Sequence, residues 1–166
     1  MSDDAPKVPA GNPFEPAIDL RRPPVMHALA LTERASAYPR REVCVECDGL
    51  PRAYVRWLGP GFVFQATRPY QIEELGRTIR VPAGFRFDAA SVPRIAWSLI
   101  SPADLGVVAP LVHDWLYRTG GQDGEFSRRE ADRLFKRHMR AEGVAGWKVR
   151  LAYTAVRAFG RRSWRG

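Results

Sequence analysis

The apolar residues of this chain change their period once. Between Arg41 and Asp88 they alternate with polar residues, and from Ser101 onward they recur every three to four positions. A period of two buries one face of a strand, and a period near 3.6 buries one stripe of a helix. A strand-forming half therefore precedes a helix-forming half, which is the pattern of an α+β fold. The expected architecture is a small, mostly antiparallel sheet over about 41–88, followed by three helices packed on it.

Turn chemistry divides the first half. REVCVEC and AYVRWL flank Asp48-Gly49, Gly59-Pro60-Gly61 punctuates next, and RTIRVP and GFRFD flank Pro82-Ala83-Gly84. Four or five strands are expected, with Phe62, Phe64, Phe85 and Phe87 supplying much of the inward face. In the second half SPAD offers Ser101 as N-cap, Pro102 at the first helical position and Asp104 in the first turn. Pro110 lacks an N–H, so a short first helix is expected to give way to a second beginning near Pro110 and ending at Thr119-Gly120-Gly121. Ser127-Arg128-Arg129-Glu130 fits a capping box, opening a helix that stops near Gly143; another runs from about Ala145 to Phe159.

Residues 1–25 carry six prolines and little apolar periodicity, so they are expected to form an extended arm. A short helical stretch is expected at about His27 to Tyr38, inside a single α+β domain spanning 26–160, with 161–166 as a basic tail. The acidic, proline-rich start has no apolar h-region, and no run approaches the ~18 apolar residues of a membrane span. Cytoplasmic synthesis is the expectation, with incorporation into a phage particle as its extension. Cys44 and Cys47 lie three apart in a strand pattern, facing opposite ways, which suits neither a disulfide nor a zinc site.

Charge is uneven. Residues 127–166 hold 12 Lys and Arg against 3 Asp and Glu, a net +9, while the rest of the chain is at −1. Such a face suits an anionic partner: nucleic acid, an anionic membrane surface, or an acidic patch on another subunit. Arg128, Arg129, Arg133, Arg137, Arg161, Arg162 and Trp164 are its candidate residues. A solvated helical surface explains the same charge equally well.

LVHDWLYRTG, from Leu111, sets His113, Asp114 and Tyr117 in an apolar run. On a helix His113 and Tyr117 share a face, and Asp114 lies about 100° round. A histidine beside carboxylates is a workable general base, with Asp132 in READRLF as the carboxylate that fixes the imidazole. FRFDAASVPRIAW adds Asp88 at a strand end, and Ser91 and Arg94 in minor roles. Asp88 and Ser91 also suit a turn before Pro93. The candidate catalytic residues are His113, Asp132, Asp88 and Tyr117; Asp114 and Asp88 are candidate metal ligands. A closed, catalytically idle hydrogen-bond network among the same side chains is the alternative.

His113-Asp114-x-x-Tyr117 resembles the signature helix of secreted phospholipase A2 enzymes. That resemblance implies His113 as base, Asp114 as calcium ligand and Tyr117 as the phenol steadying a second aspartate. Here SPADLGVVAP stands where that family has a glycine-rich calcium loop. FDAASVPR, HDWLY and ADRLF in order resemble domain-of-unknown-function family thirteen fifty-three, through Phe87, Asp88, Ser91, Val92, Pro93, His113, Asp114, Tyr117, Ala131, Asp132 and Phe135. This similarity covers roughly 45–160 and implies a phage or prophage setting, with no settled activity.

Three functions follow. One is a phage-type accessory protein with a His-Asp hydrolase-like pocket acting on an ester such as an envelope lipid, with calcium as candidate cofactor. The second is a virion part (tail, neck or baseplate) that binds neighbouring subunits through its arm and basic tail. The third is a nucleic-acid-associated protein. Access of water to His113 separates catalyst from clasp.

Overall fold

The computed structural model describes residues 25–27, 42–59, 63–88 and 102–166. Seven strands come first: β1 (Val25–His27), β2 (Glu42–Cys47), β3 (Leu50–Gly59), β4 (Val63–Ala66), β5 (Tyr70–Glu74), β6 (Arg77–Val81) and β7 (Arg86–Asp88). A 3-10 turn at Pro102–Leu105 leads into α1 (Val108–Arg118), α2 (Arg128–Ala141) and α3 (Gly146–Phe159). The fold is α+β, as the change of period implies.

The main sheet has the order β1-β2-β3-β4-β7, and β5 pairs with β6 as a separate hairpin. All pairings are antiparallel except β1 with β2. Asp48-Gly49 closes the β2–β3 hairpin with Gly49 at φ +72°, a left-handed value that glycine adopts without steric cost. Alternation decides the faces. On β2, Val43, Val45 and Cys47 join the main core, while Cys44 points the other way; both cysteines are buried. Phe64 and Phe87 are directly opposed across β4 and β7, with ring centroids 5.7 Å apart.

Leu111, Val112, Leu116 and Tyr117 of α1 complete this core. A second cluster, built from Leu105, Phe135, Met139, Val149, Ala152 and Val156, joins α2 and α3 to the 3-10 turn. Asp104 in that turn pairs with Lys148 of α3 at 2.6 Å. The capping box forms: Glu130 accepts from the Ser127 N–H at 2.8 Å, and the Ser127 hydroxyl accepts from the Glu130 N–H at 3.3 Å. Hydrogen bonds from the Ser127 backbone and hydroxyl, then from Arg77, lower the Glu130 carboxyl to about 2.

The short first helix is the 3-10 turn, and the second starts at Val108, two residues before Pro110. Pro110 lies in the first turn of α1, where a helix forms no bond to its own N–H donors, so the ring is tolerated there. The remaining donors find one carboxylate. Glu142 Oε1 accepts from the N–H of Val107 and Val108 at 2.7 and 2.8 Å, and its Oε2 accepts from Ala109 at 2.8 Å. Nothing in the local sequence announces a cap supplied from a residue more than thirty positions away. His27 closes a strand instead of opening a helix. The rest of that helical stretch, the arm before Val25, Phe62, Ser101, and Ser91 and Arg94 lie outside the described residues.

Candidate functional site

The polar site lies where β7 meets α1 and α2. β7 ends at Asp88, whose N–H donates to Asp114 Oδ2 at 3.2 Å. Asp114 also lies 3.8 Å from Arg118, one turn further along α1. On the adjoining face of α1, His113 and Tyr117 turn toward α2, where Asp132 waits. His113 Nε2 is 3.1 Å from Asp132 Oδ1, and the Tyr117 hydroxyl donates to the same oxygen at 2.6 Å. Thus five of the expected residues, Asp88, His113, Asp114, Tyr117 and Asp132, contributed by three separated segments, do come together.

Sequence reasoning missed two members of the cluster. Arg157 Nη1 of α3 donates to Asp132 Oδ2 at 2.8 Å, and Arg128 lies 3.8 Å from the same oxygen. Arg128 precedes Asp132 by one helical turn, a spacing the sequence does contain. Arg157 approaches from another helix and carries no such signal. Burial acts to raise the Asp132 carboxyl. Hydrogen bonds from His113, Tyr117 and Arg157 outweigh it and hold the group below its ordinary range. Burial, then the bond to Asp132, raises the Tyr117 phenol.

The imidazole of His113 is packed between Tyr117 and Phe135, with centroids 4.2 and 4.5 Å away. His113 is only 3% exposed and Asp132 0%. With Asp132 ionised, Nε2 must be the donor nitrogen. Nδ1 is buried and has no hydrogen-bond partner. In front of this cluster lies a cavity of about 490 Å³, lined by Asp88, His113, Asp114, Tyr117 and Arg118 and by Gly160, Arg162, Ser163 and Arg165.

The last four are a surprise. The basic tail does not project; it folds back as a second wall of the cavity. Trp164 meets the Tyr117 ring edge-on at 5.2 Å, and the Arg165 N–H donates to the Tyr117 carbonyl at 3.2 Å. The expected anion-binding face is correspondingly broken up. Arg128 turns inward to Asp132, Arg137 pairs with the buried Glu74, and Trp164 packs on the core. Arg129, Arg133, Arg161 and Arg162 remain exposed.

Asp88 and Asp114 do not fit calcium on what is described. That ion takes six to eight oxygen ligands, and among the described residues no three His, Cys, Asp or Glu are grouped to hold a metal ion. Arg118 already supplies positive charge beside Asp114.

Fold and site together define an α+β domain with a polar pocket at its sheet–helix junction. The family model described as Protein of unknown function (DUF1353) matches residues 64–156, and the chain belongs to that family. The match contains all three motifs but begins later than the expected residue 45 and ends before Gly160. The phospholipase A2 resemblance finds no support. The chain is 37% identical over 82 residues to "Uncharacterized protein y4jT" of Sinorhizobium fredii (strain NBRC 101917 / NGR234). That similarity covers 48% of this chain and 23% of the relative, so it spans under a quarter of the relative's own length. No solved structure matches the chain. No helix among the described residues is long and apolar enough to cross a membrane.

Proposed function

We propose that the chain is a phage- or prophage-type accessory protein whose cavity hydrolyses an ester, with His113 as general base. One observation carries the chemistry: Nε2 is committed to Asp132 while Nδ1 has no partner, on a residue that lines the cavity. Nδ1 is nevertheless buried and His113 only 3% exposed, so the reaction requires the cavity wall to open and admit water to that nitrogen, and the closed arrangement by itself favours the clasp. An imidazole fixed at one nitrogen by a carboxylate is oriented to exchange a proton at the other. In the reaction Nδ1 takes a proton from water as its oxygen attacks the ester carbonyl. Asp132 stabilises the imidazolium, which then returns the proton to the departing alcohol. Tyr117 holds Asp132 in place. The phage setting rests on the sequence resemblance.

A second reading has its own observation. Asp132 is completely buried and meets four positively charged or hydrogen-bonding side chains, an arrangement that suits a clasp joining α1, α2 and α3 in a virion component. The nucleic-acid reading is weaker, because Arg128 and Arg137 already face carboxylates.

The deciding assay follows hydrolysis of a short-chain phospholipid and a chromogenic carboxylic ester, with and without calcium. His113→Ala should lower the rate by about 10²–10⁴-fold, the usual worth of a positioned base. Asp132→Asn should lower it and move its pH profile. Equal rates for the wild type and His113→Ala would end the hydrolytic reading and leave the clasp.

A further inference from the structure

We infer that Arg162 and Arg165 form a phosphate-binding wall of the cavity, so that its ligand carries a phosphate group. The inference takes the cavity of the proposed reaction as the ligand site, but does not require that the ligand be hydrolysed.

Three contacts hold the tail in place. The Arg165 N–H bonds the Tyr117 carbonyl, Trp164 packs on the Tyr117 ring, and Gly160 sits so close that an added Cβ would lie 2.5 Å from the Tyr117 hydroxyl. Arg162, Ser163 and Arg165 therefore face the cavity from a fixed backbone.

The charges there are not equally available. Arg118 donates to the Arg86 carbonyl at 2.8 Å, lies over the Phe85 ring and sits 3.8 Å from Asp114. Arg128 and Arg157 are occupied with Asp132. Arg162 and Arg165 make no ion pair among the described residues, and both line the cavity. Arg162 and Arg165, with Ser163 between them in the chain, thus give the cavity lining two guanidinium groups outside any described ion pair and a hydroxyl, and guanidinium forks bind phosphate oxygens through paired hydrogen bonds. The same cavity is lined by the carboxylates Asp88 and Asp114, the latter 3.8 Å from Arg118, so its three arginines exceed its two carboxylates and the excess positive charge lies on the Arg162 and Arg165 side.

This wall lies beyond the segment matched by the family model, which ends at residue 156. The matched segment supplies Asp88, His113, Asp114 and Tyr117.

The test is calorimetric titration of the full chain with inorganic phosphate and with glycerol 3-phosphate. Sedimentation with phosphatidylglycerol and phosphatidylcholine vesicles runs beside it. The double variant Arg162→Ala/Arg165→Ala should bind both soluble ligands about tenfold or more weakly. The corresponding double lysine variant should recover part of the loss. Arg140→Ala/Arg150→Ala, with equal charge removed from exposed positions away from the cavity, should bind as the wild type does. Loss of phosphatidylglycerol vesicle binding in the same cavity variant marks the phosphate as a lipid headgroup; unchanged vesicle binding marks a soluble phosphate ester. The inference fails if the wild type binds neither soluble ligand, if the cavity variant is unaffected, or if the remote variant loses as much. Phosphate binding without ester hydrolysis would overturn the proposed reaction and leave this wall standing.

Discussion

Tyr117 and His113, one turn apart on α1, converge on a single oxygen of Asp132, at 2.6 and 3.1 Å. The other oxygen takes Arg157 at 2.8 Å. Asp132→Asn keeps the shape but removes the charge, and leaves an amide facing hydrogen-bond donors. Breaking a buried ion pair from one side costs about 3–5 kcal/mol. Arg157 is partly exposed and regains some hydration, so about 2–3 kcal/mol is expected here. Tyr117→Phe removes one hydrogen bond and keeps the ring against Trp164, at about 1 kcal/mol. Urea unfolding should rank the two variants in that order; equal losses would deny Asp132 its central place.

Gly160 has ordinary helical surroundings, yet an alanine Cβ there would come within 2.5 Å of the Tyr117 hydroxyl. Gly160→Ala must therefore displace either the tail or the phenol. The expected cost is about 1–3 kcal/mol, as for other overpacked sites. Because Tyr117 carries the strain, the loss should shrink in a Tyr117→Phe background. Additive losses in the double variant would show that the two residues do not meet.

What the sequence made legible follows the range of the interactions. Alternation placed Phe64 and Phe87 in the core, and the Ser127–Glu130 spacing placed the start of α2, because both signals are local. Helical spacing puts His113 and Tyr117 on one face, and READRLF offers Asp132 as the carboxylate that fixes the imidazole; that Tyr117 shares the same oxygen appears only in the packing. Arg157 and the returning tail were not legible, since their contacts join helices and depend on crossing geometry that no periodicity encodes. Glu142 is the clearest case: as a C-cap of α2 it looks ordinary, and only the packing of α1 against it shows why it is buried.

Gly106 tests that packing. It adopts φ +78°, and a Cβ would lie 2.5 Å from the Glu142 carboxylate. Gly106→Ala is strained by its backbone and also pushes the carboxylate off the first turn of α1. A loss of about 2–4 kcal/mol is expected, since both effects fall on one site. Hydrogen exchange should show the N–H groups of Val107, Val108 and Ala109 losing protection first. Protection unchanged at those three positions would mean that Glu142 does not hold them.

Glu142 and His138 should oppose each other in the pH dependence of stability. Burial raises the Glu142 carboxyl from 4.5 to about 7, against the pull of its three N–H bonds, with Cys47 Sγ 4.0 Å away and Tyr70 nearby. Burial, then the charge of Arg137, lowers His138 from 6.5 to about 4; its Nε2 donates to Glu74 at 2.8 Å, and Arg137 occupies the other Glu74 oxygen. Between about pH 4.5 and 7 the folded chain binds a proton at Glu142 that the unfolded chain does not. Glu142 therefore favours folding at low pH, and that contribution disappears as pH rises through about 7. Between about pH 4 and 6.5 the unfolded chain binds a proton at His138 that the folded chain refuses. That contribution is complete above 6.5 and disappears as pH falls through about 4. Each is worth on the order of 3 kcal/mol, with opposite sign. From pH 7 to 4.5 the two should nearly cancel in the wild type. Glu142→Gln should lose stability steeply on acidification over that range, and His138→Gln should gain it. Urea unfolding at pH 7, 6 and 4.5 reads the slopes directly; parallel slopes for the wild type and both variants would remove both groups as its proton-linked sites.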